Sequence, residues 1–368
     1  MKVMGLDIGG ANIKTADMDG NVRSVPFAMW TRSQQLPEEL VRICDSVRPV
    51  LVGLTMTAEL ADCFETKADG VNHVVESVRR AFPEAELRVW LTSGEFAEPD
   101  DAVELPQLVA AANWHALATW AGRAVPEGPA ILIDAGSTTT DIVPLVDGIP
   151  VPHGLTDLER LKSGELIYTG ARRTPLCAVR SCVQIKDATL PVAAEVFATT
   201  QDIHVVLCNL DEDRDCTETA DGRPLTNNAC LNRIARMVCC EGTELSRELI
   251  HGLASQFADA QTSQITEALR RVSGDLSRQL EEVGRSDAAD EPRLILSGSG
   301  VFLAEAAADQ LRFTRRIDLN ELGHSAIAEA ACAFAVARLV HERCRGDLLE
   351  TVLSPDTGKR VTSPRLPL

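Results

Sequence analysis

Two aspartates that each end an apolar run are the side chains best suited to chemistry in this sequence. Asp7 lies in the segment 4–14, MGLDIGGANIK, and Asp134 lies in the segment 131–143, ILIDAGSTTTDIV. The glycines after Asp7 let backbone N–H groups close around an anion, and the glycine and hydroxyl residues after Asp134 add side-chain hydroxyls. A carboxylate beside bound phosphate is a natural ligand of Mg²⁺, which prefers oxygen. Each segment therefore predicts a β-hairpin with a phosphate at its tip, and Asp7 and Asp134 as partners of a Mg²⁺ ion.

A third glycine-rich turn, residues 296–300 (LSGSG), completes the set. We expect ligand contacts from these residues of the three segments: Asp7, Gly9, Gly10, Asn12, Gly136, Ser137, Thr138, Thr139, Asp141, Gly298, Ser299 and Gly300. Each segment alone is also explained as an ordinary tight hairpin with glycine at positive φ. Their order favours a two-sided phosphate clamp. No GxxxxGK[ST] loop occurs, and residues 5–10 do not lead from a strand into a helix as a dinucleotide fingerprint must.

Polar side chains beside the first hairpin and after the next buried strand extend the candidate site. Lys14 ends the return strand, where it would reach an anionic oxygen or lie solvated on the strand. Thr55, Thr57 and Glu59 follow the apolar run 50–54, at the strand end where open α/β sheets form their sites. Capping of the following helix is the alternative role for these three residues.

A second polar group surrounds Tyr168, the only tyrosine of the chain. Arg172 and Arg173 follow it closely, and adjacent arginines in an acidic chain indicate contact with an anion such as a carboxylate or a diphosphate. A surface salt bridge is the alternative. We expect Tyr168, Arg172 and Arg173 to contact substrate.

The predicted elements repeat. Apolar alternation and turn signals predict the order βββαβαβα over residues 2–123, with the last helix near 106–123. A similar set begins at residue 130 and includes a helix near 262–283. With the three glycine segments, this layout resembles the actin, Hsp70 and sugar-kinase superfamily, in which two ribonuclease-H-like domains each supply one phosphate hairpin. The resemblance implies an α/β fold with a central phosphate-binding cleft.

The same resemblance implies a domain plan. The first ribonuclease-H-like domain would cover residues 1–127, with a helix at 325–345 crossing back to it, and the second would cover 128–324. Residues 153–226 do not fit the repeat and are expected to form a substrate insertion. The tail 354–368, rich in proline and charge, is predicted to be flexible.

Four blocks of sequence give a closer match. They are DIGGANIK at 7–14, LTMTAEL at 54–60, the pair Asn113-Trp114, and YTGARRTPLC at 168–177. These blocks resemble the hydantoinase/oxoprolinase-related family linked to tetrahydromethanopterin one-carbon transfer. The resemblance covers nearly the whole chain, in order.

The family resemblance implies a transferase in methanofuran- or methylofuran-type carrier biosynthesis. An aminomethylfuran-methyl diphosphate would be joined through its CH₂ carbon to the phenol oxygen of a γ-glutamyltyramine- or tyrosine-type acceptor, with release of diphosphate. Mg²⁺ is the expected cofactor, and the arginine pair is a candidate for the acceptor carboxylate. A carboxylate or lysine that takes the phenol proton would make the oxygen a better nucleophile. Glu59, Asp157 and Lys14 are the candidate catalytic residues.

Two other functions are compatible with the glycine segments alone. One is an ATP-dependent small-molecule kinase or ATP-driven amidohydrolase of the same superfamily, which would use ATP and the turn at 298–300. The other is a non-catalytic nucleotide sensor or scaffold, which would bind without turnover. The specific block at residues 55–59 favours an enzyme over the sensor.

Composition restricts the partners and the compartment. The 368 residues carry a net charge of −18, which repels a nucleic-acid backbone, so no nucleic-acid partner is expected. No apolar run approaches the ~18 residues of a membrane span, so no membrane partner is expected. The start MKVM leads directly into a strand without a signal peptide, and eleven cysteines without metal spacing are typical of reduced thiols. These features predict a cytoplasmic protein.

Overall fold

The computed structural model describes residues 2–44, 47–319 and 325–345. The strands are β1 (Val3–Gly9), β2 (Asn12–Asp17), β3 (Val22–Pro26), β4 (Leu51–Thr57), β5 (Glu86–Trp90), β6 (Phe96–Ala97), β7 (Pro129–Ala135), β8 (Thr140–Val146), β9 (Ile149–Pro150), β10 (Leu166–Ile167), β11 (Cys182–Ile185), β12 (Ala188–Pro191), β13 (Arg293–Ser297) and β14 (Arg316–Asp318). The predicted tail 354–368 lies outside the described residues.

The helices alternate with these strands. They are α1 (Met29–Arg32), α2 (Leu36–Cys44), α3 (Lys67–Ala81), α4 (Pro99–Glu104), α5 (Pro106–Val109), α6 (Asn113–Ala121), α7 (Asp157–Ser163), α8 (Leu176–Val179), α9 (Thr200–Val206), α10 (Asn227–Arg236), α11 (Arg247–Glu282), α12 (Val301–Gln310) and α13 (Ala331–Arg345). In the described parts of the chain, no helix is long and apolar enough to cross a membrane.

The first sheet has the strand order β3-β2-β1-β4-β5-β6. β1 pairs antiparallel with β2 and parallel with β4, and β4 pairs parallel with β5. The apolar runs of β1 and β4 are buried on both faces, as parallel strands covered by helices are. On one face, α2 and α3 contribute Leu40, Val71 and Val78 to the core.

The second sheet repeats this plan. Its order is β10-β8-β7-β13-β14, with β9 beside β8, so that β7 and β8 form the antiparallel hairpin and β13 lies parallel to β7. β7 and β8 therefore correspond to β1 and β2, and β13 corresponds to β4. Each sheet carries one hairpin that ends in an aspartate segment identified from the sequence.

Helices α6 and α13 lie between the two sheets in a shared core. This core joins Trp90 of the first sheet to Leu132 and Ile295 of the second through residues of both helices. A Cβ atom at Gly5 of β1 would lie 1.9 Å from the carbonyl oxygen of Ala333 in α13. Only glycine permits this approach of helix backbone to strand. The helix at the end of the described chain therefore packs on the first sheet.

Residues 176–257 form a further apolar core. It joins the sequence-predicted insertion to α10 and the first half of α11, with Leu176, Ile203, Ile234 and Phe257 among its buried side chains. The 36-residue helix α11 extends from this core to the second sheet, where Ile265 and Leu276 are buried. The predicted domain limits at 127/128 and 324/325 stay predictions.

Two helices differ from their sequence-based limits. The helix predicted near 106–123 is divided into α5 and α6, because Ala111 between them has φ of 49°. The helix predicted from residue 262 begins at Arg247 behind a Ser246 cap. Packing against the insertion core stabilises the earlier turns, which a sequence pattern alone does not reveal.

Candidate active site

A cavity of about 360 Å³ lies where the two aspartate hairpins face each other. The predicted residues that line it are Asp7, Gly9, Gly10, Asn12, Lys14, Thr57, Glu59, Asp134, Gly136, Ser137, Thr138, Thr139, Asp141, Asp157, Tyr168 and Arg173. The predicted residues absent from its lining are Thr55, Arg172, Gly298, Ser299 and Gly300. The structure thus brings both hairpins, the strand end after β4 and part of the insertion to one place.

The first aspartate hairpin (residues 7–14) places Asp7 directly opposite Lys14 in the β1–β2 pairing. Asp7 is buried and Lys14 is half-buried. The residues that follow β3 stabilise the tip of this hairpin. The amides of Phe27 and Met29 donate to the carbonyls of Ala11 and Gly10 at 2.8 and 2.9 Å, respectively.

The second aspartate hairpin (residues 134–141) places Asp134 directly opposite Asp141. The Gly136 amide donates to the Thr139 carbonyl at 2.9 Å and closes the tip. Residues 170–173 run behind this tip. The Arg172 and Arg173 amides both donate to the Ser137 carbonyl at 3.0 Å, and Ala171 donates to Gly136. Arg172 therefore contributes its backbone to the hairpin while its side chain lies outside the cavity lining.

The third glycine turn lies behind the same hairpin. Gly300 donates its amide to the Ala135 carbonyl at 2.8 Å, and Gly298 has φ of 95°. A Cβ atom at Gly298 would lie 2.2 Å from the Ala135 oxygen. These glycines thus permit close backbone packing against β7. Their contact with a ligand remains a prediction.

Asp7 and Asp134 fit a cation between the hairpins. The Oδ1 atom of each is buried and lacks a hydrogen-bond partner. Burial raises the pKa of Asp134 to about 6, with the charge of Asp141 adding to it, and burial likewise raises the pKa of Asp7. Within the described residues, no cluster of three or more His, Cys, Asp or Glu side chains is arranged to hold a metal. One or two carboxylates together with substrate phosphates commonly hold Mg²⁺, and a Mg²⁺ ion at this pair stays a prediction.

Lys14 is the cation nearest to these carboxylates. Burial lowers its pKa, but the charges of Asp7, Cys332, Asp134 and Glu329 together more than offset that effect, and the pKa of Lys14 is raised. A raised pKa favours the protonated form, which binds anionic oxygen. The role of Lys14 as a proton acceptor stays a prediction.

Glu59 lies beyond the carboxyl end of β4. Its side chain is 1 % exposed, and its Oε2 atom has no hydrogen-bond partner. Burial raises the pKa of Glu59 to about 7, opposed by the backbone amides of Glu59 and Ala111, with the charge of Asp157 contributing to the rise. Thr57 ends β4 in the cavity wall, whereas Thr55 is fully buried inside the strand.

Asp157 faces the cavity from the second half of the molecule. It is the first residue of α7, whose N-terminus is capped by Thr156 and Glu159. Burial raises the pKa of Asp157, opposed chiefly by the charge of Arg160. Glu59 and Asp157 are therefore contributed to one end of the cavity by opposite halves of the chain.

Arg160 and Trp114 line the cavity without having been predicted from residue type. The guanidinium of Arg160 lies 3.9 Å from the centre of the Trp114 ring. Its Nη2 atom donates to Asp141 Oδ1 at 2.8 Å and to the Glu165 carbonyl at 3.0 Å. Trp114 belongs to one of the family blocks, which was its only signal. Arg160 gave none, because an arginine on a short polar helix is typical of a solvent-exposed face.

The mouth of the cavity carries aromatic side chains from both halves. Trp30 of α1 and Tyr168 are 45 % and 69 % exposed and both line the opening. The Arg173 guanidinium lies 5.8 Å from the centre of the Trp30 ring. Trp30 is a second lining residue that the sequence did not reveal. An aromatic rim of this kind suits a ring-containing ligand.

The fold and cleft together define a class of protein. Two α/β sheets with corresponding hairpins, meeting at a carboxylate-lined cavity, form the fold of the actin, Hsp70 and sugar-kinase superfamily, as predicted. The sequence profile of the hydantoinase/oxoprolinase family matches residues 51–343. The chain belongs to the hydantoinase/oxoprolinase family.

Two relatives of the chain share the same name. The chain is 31 % identical over 351 residues to the (4-{4-[2-(gamma-L-glutamylamino)ethyl]phenoxymethyl}furan-2-yl)methanamine synthase of Methanocaldococcus jannaschii, covering 93 % of this chain and 99 % of that protein. A protein of the same name from Methanococcus vannielii is 38 % identical over 143 residues, which cover 39 % of this chain and 64 % of that protein.

Solved structures show more distant likeness. A nucleotide-free acetone carboxylase matches with a TM-score of 0.48 and 13 % identity, covering 89 % of this chain and 51 % of that one. The ROK hexokinase of Thermus thermophilus matches with a TM-score of 0.35 and 16 % identity, over 91 % of this chain and 97 % of that one.

Proposed function

We propose that the protein is a cytoplasmic transferase of methanofuran- or methylofuran-type biosynthesis, linked to tetrahydromethanopterin one-carbon metabolism. It would condense an aminomethylfuran-methyl diphosphate with the phenol oxygen of a γ-glutamyltyramine- or tyrosine-type acceptor. The observation that carries this proposal is the pair of facing hairpins, each with an aspartate whose buried Oδ1 atom has no hydrogen-bond partner. The name of the relative that matches over nearly the whole chain supports the choice of reaction.

The reaction replaces one carbon–oxygen bond with another. The bond from the CH₂ carbon to the diphosphate breaks, and its electron pair leaves on the diphosphate. The phenol oxygen bonds to the same carbon, and its proton passes to an oxygen of the departing diphosphate. The products are an aryl ether and diphosphate. The furan ring stabilises positive charge on the carbon, so the protein must chiefly bind, orient and exclude water.

The two hairpins are the elements that would hold the diphosphate. Gly9, Gly10, Ser137 and Thr138 line the cavity, and backbone amides and hydroxyls of such turns can bind a phosphate. Lys14 would contribute a positive charge to the leaving oxygens, where developing charge is greatest. A Mg²⁺ ion held by Asp7 and Asp134 would supply Lewis-acid stabilisation of the leaving group. The aromatic rim of Trp30 and Tyr168 would receive the ring-containing part of a substrate.

The ATP-dependent alternative has less support. It predicted use of the glycine turn at 298–300, which packs behind the second hairpin and does not line the cavity. The name that the two relatives share does not mention a nucleotide. The ATP-dependent kinase or amidohydrolase therefore stays the second candidate.

Diphosphate release by the purified protein tests both functions. The assay contains Mg²⁺, the furan diphosphate donor, and either a γ-glutamyltyramine or a tyrosine-type acceptor, with and without ATP. We expect release that depends on the acceptor and not on ATP. ATP hydrolysis without diphosphate release from the donor would contradict the transferase and support the alternative.

A further inference from the structure

The cavity carries more negative than positive side chains. Among the described lining residues, the acidic ones are Asp7, Glu59, Asp62, Asp134, Asp141 and Asp157. The basic ones are Lys14, Arg160 and Arg173. The proposed diphosphate and its metal would account for the charges at the hairpins, but they leave Glu59, Asp62 and Asp157 unexplained.

The basic side chains of the lining contact groups other than Glu59 and Asp157, although the charge of Arg160 also lowers the pKa of Asp157. Lys14 lies beside Asp7, Arg160 donates to Asp141, and the Arg173 guanidinium lies over Trp30. None of the described Lys and Arg side chains forms an ion pair with Glu59 or Asp157. Lys67 is the cation that acts on both, but it lies outside the cavity lining.

Glu59 lines the cavity with a buried carboxylate. Its Oε2 atom has no hydrogen-bond partner, while the Ala111 amide faces the carboxylate. The backbone of Glu59 is fixed by α3, because a Cβ atom at Gly70 would lie 2.5 Å from the Glu59 carbonyl oxygen. Burying a carboxylate without a partner is costly, so such a group points to a ligand that supplies one.

We propose that Glu59 and Asp157 form a subsite for a primary ammonium group of the substrate. An ammonium offers three donors and one positive charge, which two carboxylates from opposite sides of a cavity complement. The choice of ligand rests on the proposed function, because both proposed substrates carry a primary amine. One is the aminomethyl group on the furan of the donor, and the other is the α-amino group of the γ-glutamyl acceptor.

Two substrate pairs distinguish these sources. The donor is compared with an analogue that has methyl in place of aminomethyl, and γ-glutamyltyramine is compared with N-glutaryltyramine. We expect one pair to show about a 100-fold preference in kcat/KM for the amine, since sites that pair a polar group reject analogues lacking it. Equal kcat/KM within both pairs would overturn the subsite.

Variants then assign the preference to the two carboxylates. Glu59→Gln and Asp157→Asn should each reduce the amine preference in kcat/KM to about tenfold or less. Glu65→Gln, an exposed residue of the same loop, is the matched control and should keep the full preference. If Glu59→Gln lowers kcat equally for substrates with and without the amine, Glu59 is a general base and the proposal fails.

Binding measurements separate this proposal from the proposed function. Calorimetric titrations of the full chain use 2-(aminomethyl)furan against 2-methylfuran, and γ-glutamylethylamide against N-ethylglutaramate. An amine preference that Glu59→Gln abolishes would support the subsite even if no diphosphate is released. Diphosphate release without any amine preference would leave the transferase standing and remove the subsite.

Discussion

A residue of this site can be predicted from the sequence when the residues that identify it are its neighbours in the chain. Asp7 and Asp134 were predicted because glycines follow Asp7 and glycine and hydroxyl residues follow Asp134 in the chain. Arg160 was not predicted, because its burial comes from Trp114 and Asp141, which are distant in sequence. The sequence therefore predicts the hairpin carboxylates, but not the side chains that tertiary packing brings against them.

We expect that burial of the Glu59 carboxylate lowers the stability of the folded protein. Its ordinary pKa near 4.5 is raised by burial to about 7 in the folded state, with Asp157 adding to the rise and Lys67 and the amides of Glu59 and Ala111 opposing it. The folded state thus binds the proton more tightly than the unfolded state. The contribution of Glu59 to stability is therefore largest below pH 4.5 and is lost as pH rises through about 7.

Glu59→Gln should remove this pH dependence. From pH 5 to pH 8, the unfolding free energy of the variant should rise by about 2–3 kcal/mol relative to that of the parent, because one pKa unit corresponds to ~1.36 kcal/mol. Denaturant unfolding at both pH values measures the difference. Glu65→Gln should show no such gain, and a difference for Glu59→Gln that is constant with pH would contradict the shift.

Asp134→Asn should weaken the use of Mg²⁺. We expect diphosphate release to fall about 10²-fold and the half-saturating Mg²⁺ concentration to rise, because a neutral amide is a poorer ligand of a hard cation. A Mg²⁺ titration of the initial rate gives both quantities. Asp290→Asn, on the exposed surface, is the control. An unchanged Mg²⁺ response in Asp134→Asn would remove Asp134 from the metal site.

At the level of elements, the hairpins and the parallel strands followed from apolar alternation and turn residues. The division of α5 from α6 did not, because a left-handed Ala111 has no local signal in an alanine-rich run. The role of the turn at 298–300 is a similar case. Its glycines serve the approach of backbone to β7, and a sequence cannot tell such a neighbour from a ligand.

A substitution at Gly170 tests whether the second hairpin depends on the close packing of residues 170–173 behind its tip. A Cβ atom there would lie 2.6 Å from the Ser137 carbonyl carbon and the Thr138 nitrogen, both of the backbone. Gly170→Ala should displace the hairpin, cost about 1–3 kcal/mol of stability and raise the KM for the donor. Thermal unfolding and donor kinetics measure these effects.

Gly252 is the control for this substitution. It lies in α11, where an added Cβ would meet nothing within 4 Å. Gly252→Ala should stabilise the protein by up to ~1 kcal/mol through helix propensity and leave the donor KM unchanged. Equal behaviour of the two variants would show that the hairpin does not depend on Gly170.

In the whole molecule, the shared core makes the two sheets one cooperative unit. Gly53 of β4 lies so close to α13 that its Cβ would be 2.8 Å from the Val336 carbonyl oxygen. Gly53→Ala should move α13 and lower stability by about 1–3 kcal/mol. Because α13 packs in the core between both sheets, calorimetry should show one unfolding transition at lower temperature.

Gly274→Ala, at an open position of α11, is the control and should not lower the transition temperature. Two separate transitions in Gly53→Ala, of which only one shifts, would contradict a common unit. The arrangement of the halves is the least predictable part of this fold from sequence, since it depends on contacts between α6 and α13 rather than on either pattern alone.

The packing of α13 on β1 and β4 has a consequence for how the chain is made. Both strands leave the ribosome early, whereas the helix that covers them is among the last described residues to be synthesised. Throughout elongation, one apolar face of the nascent first sheet therefore lacks its native cover. We expect a chaperone to bind this face during translation. It should dissociate once residues 331–345 have emerged and complete the shared core.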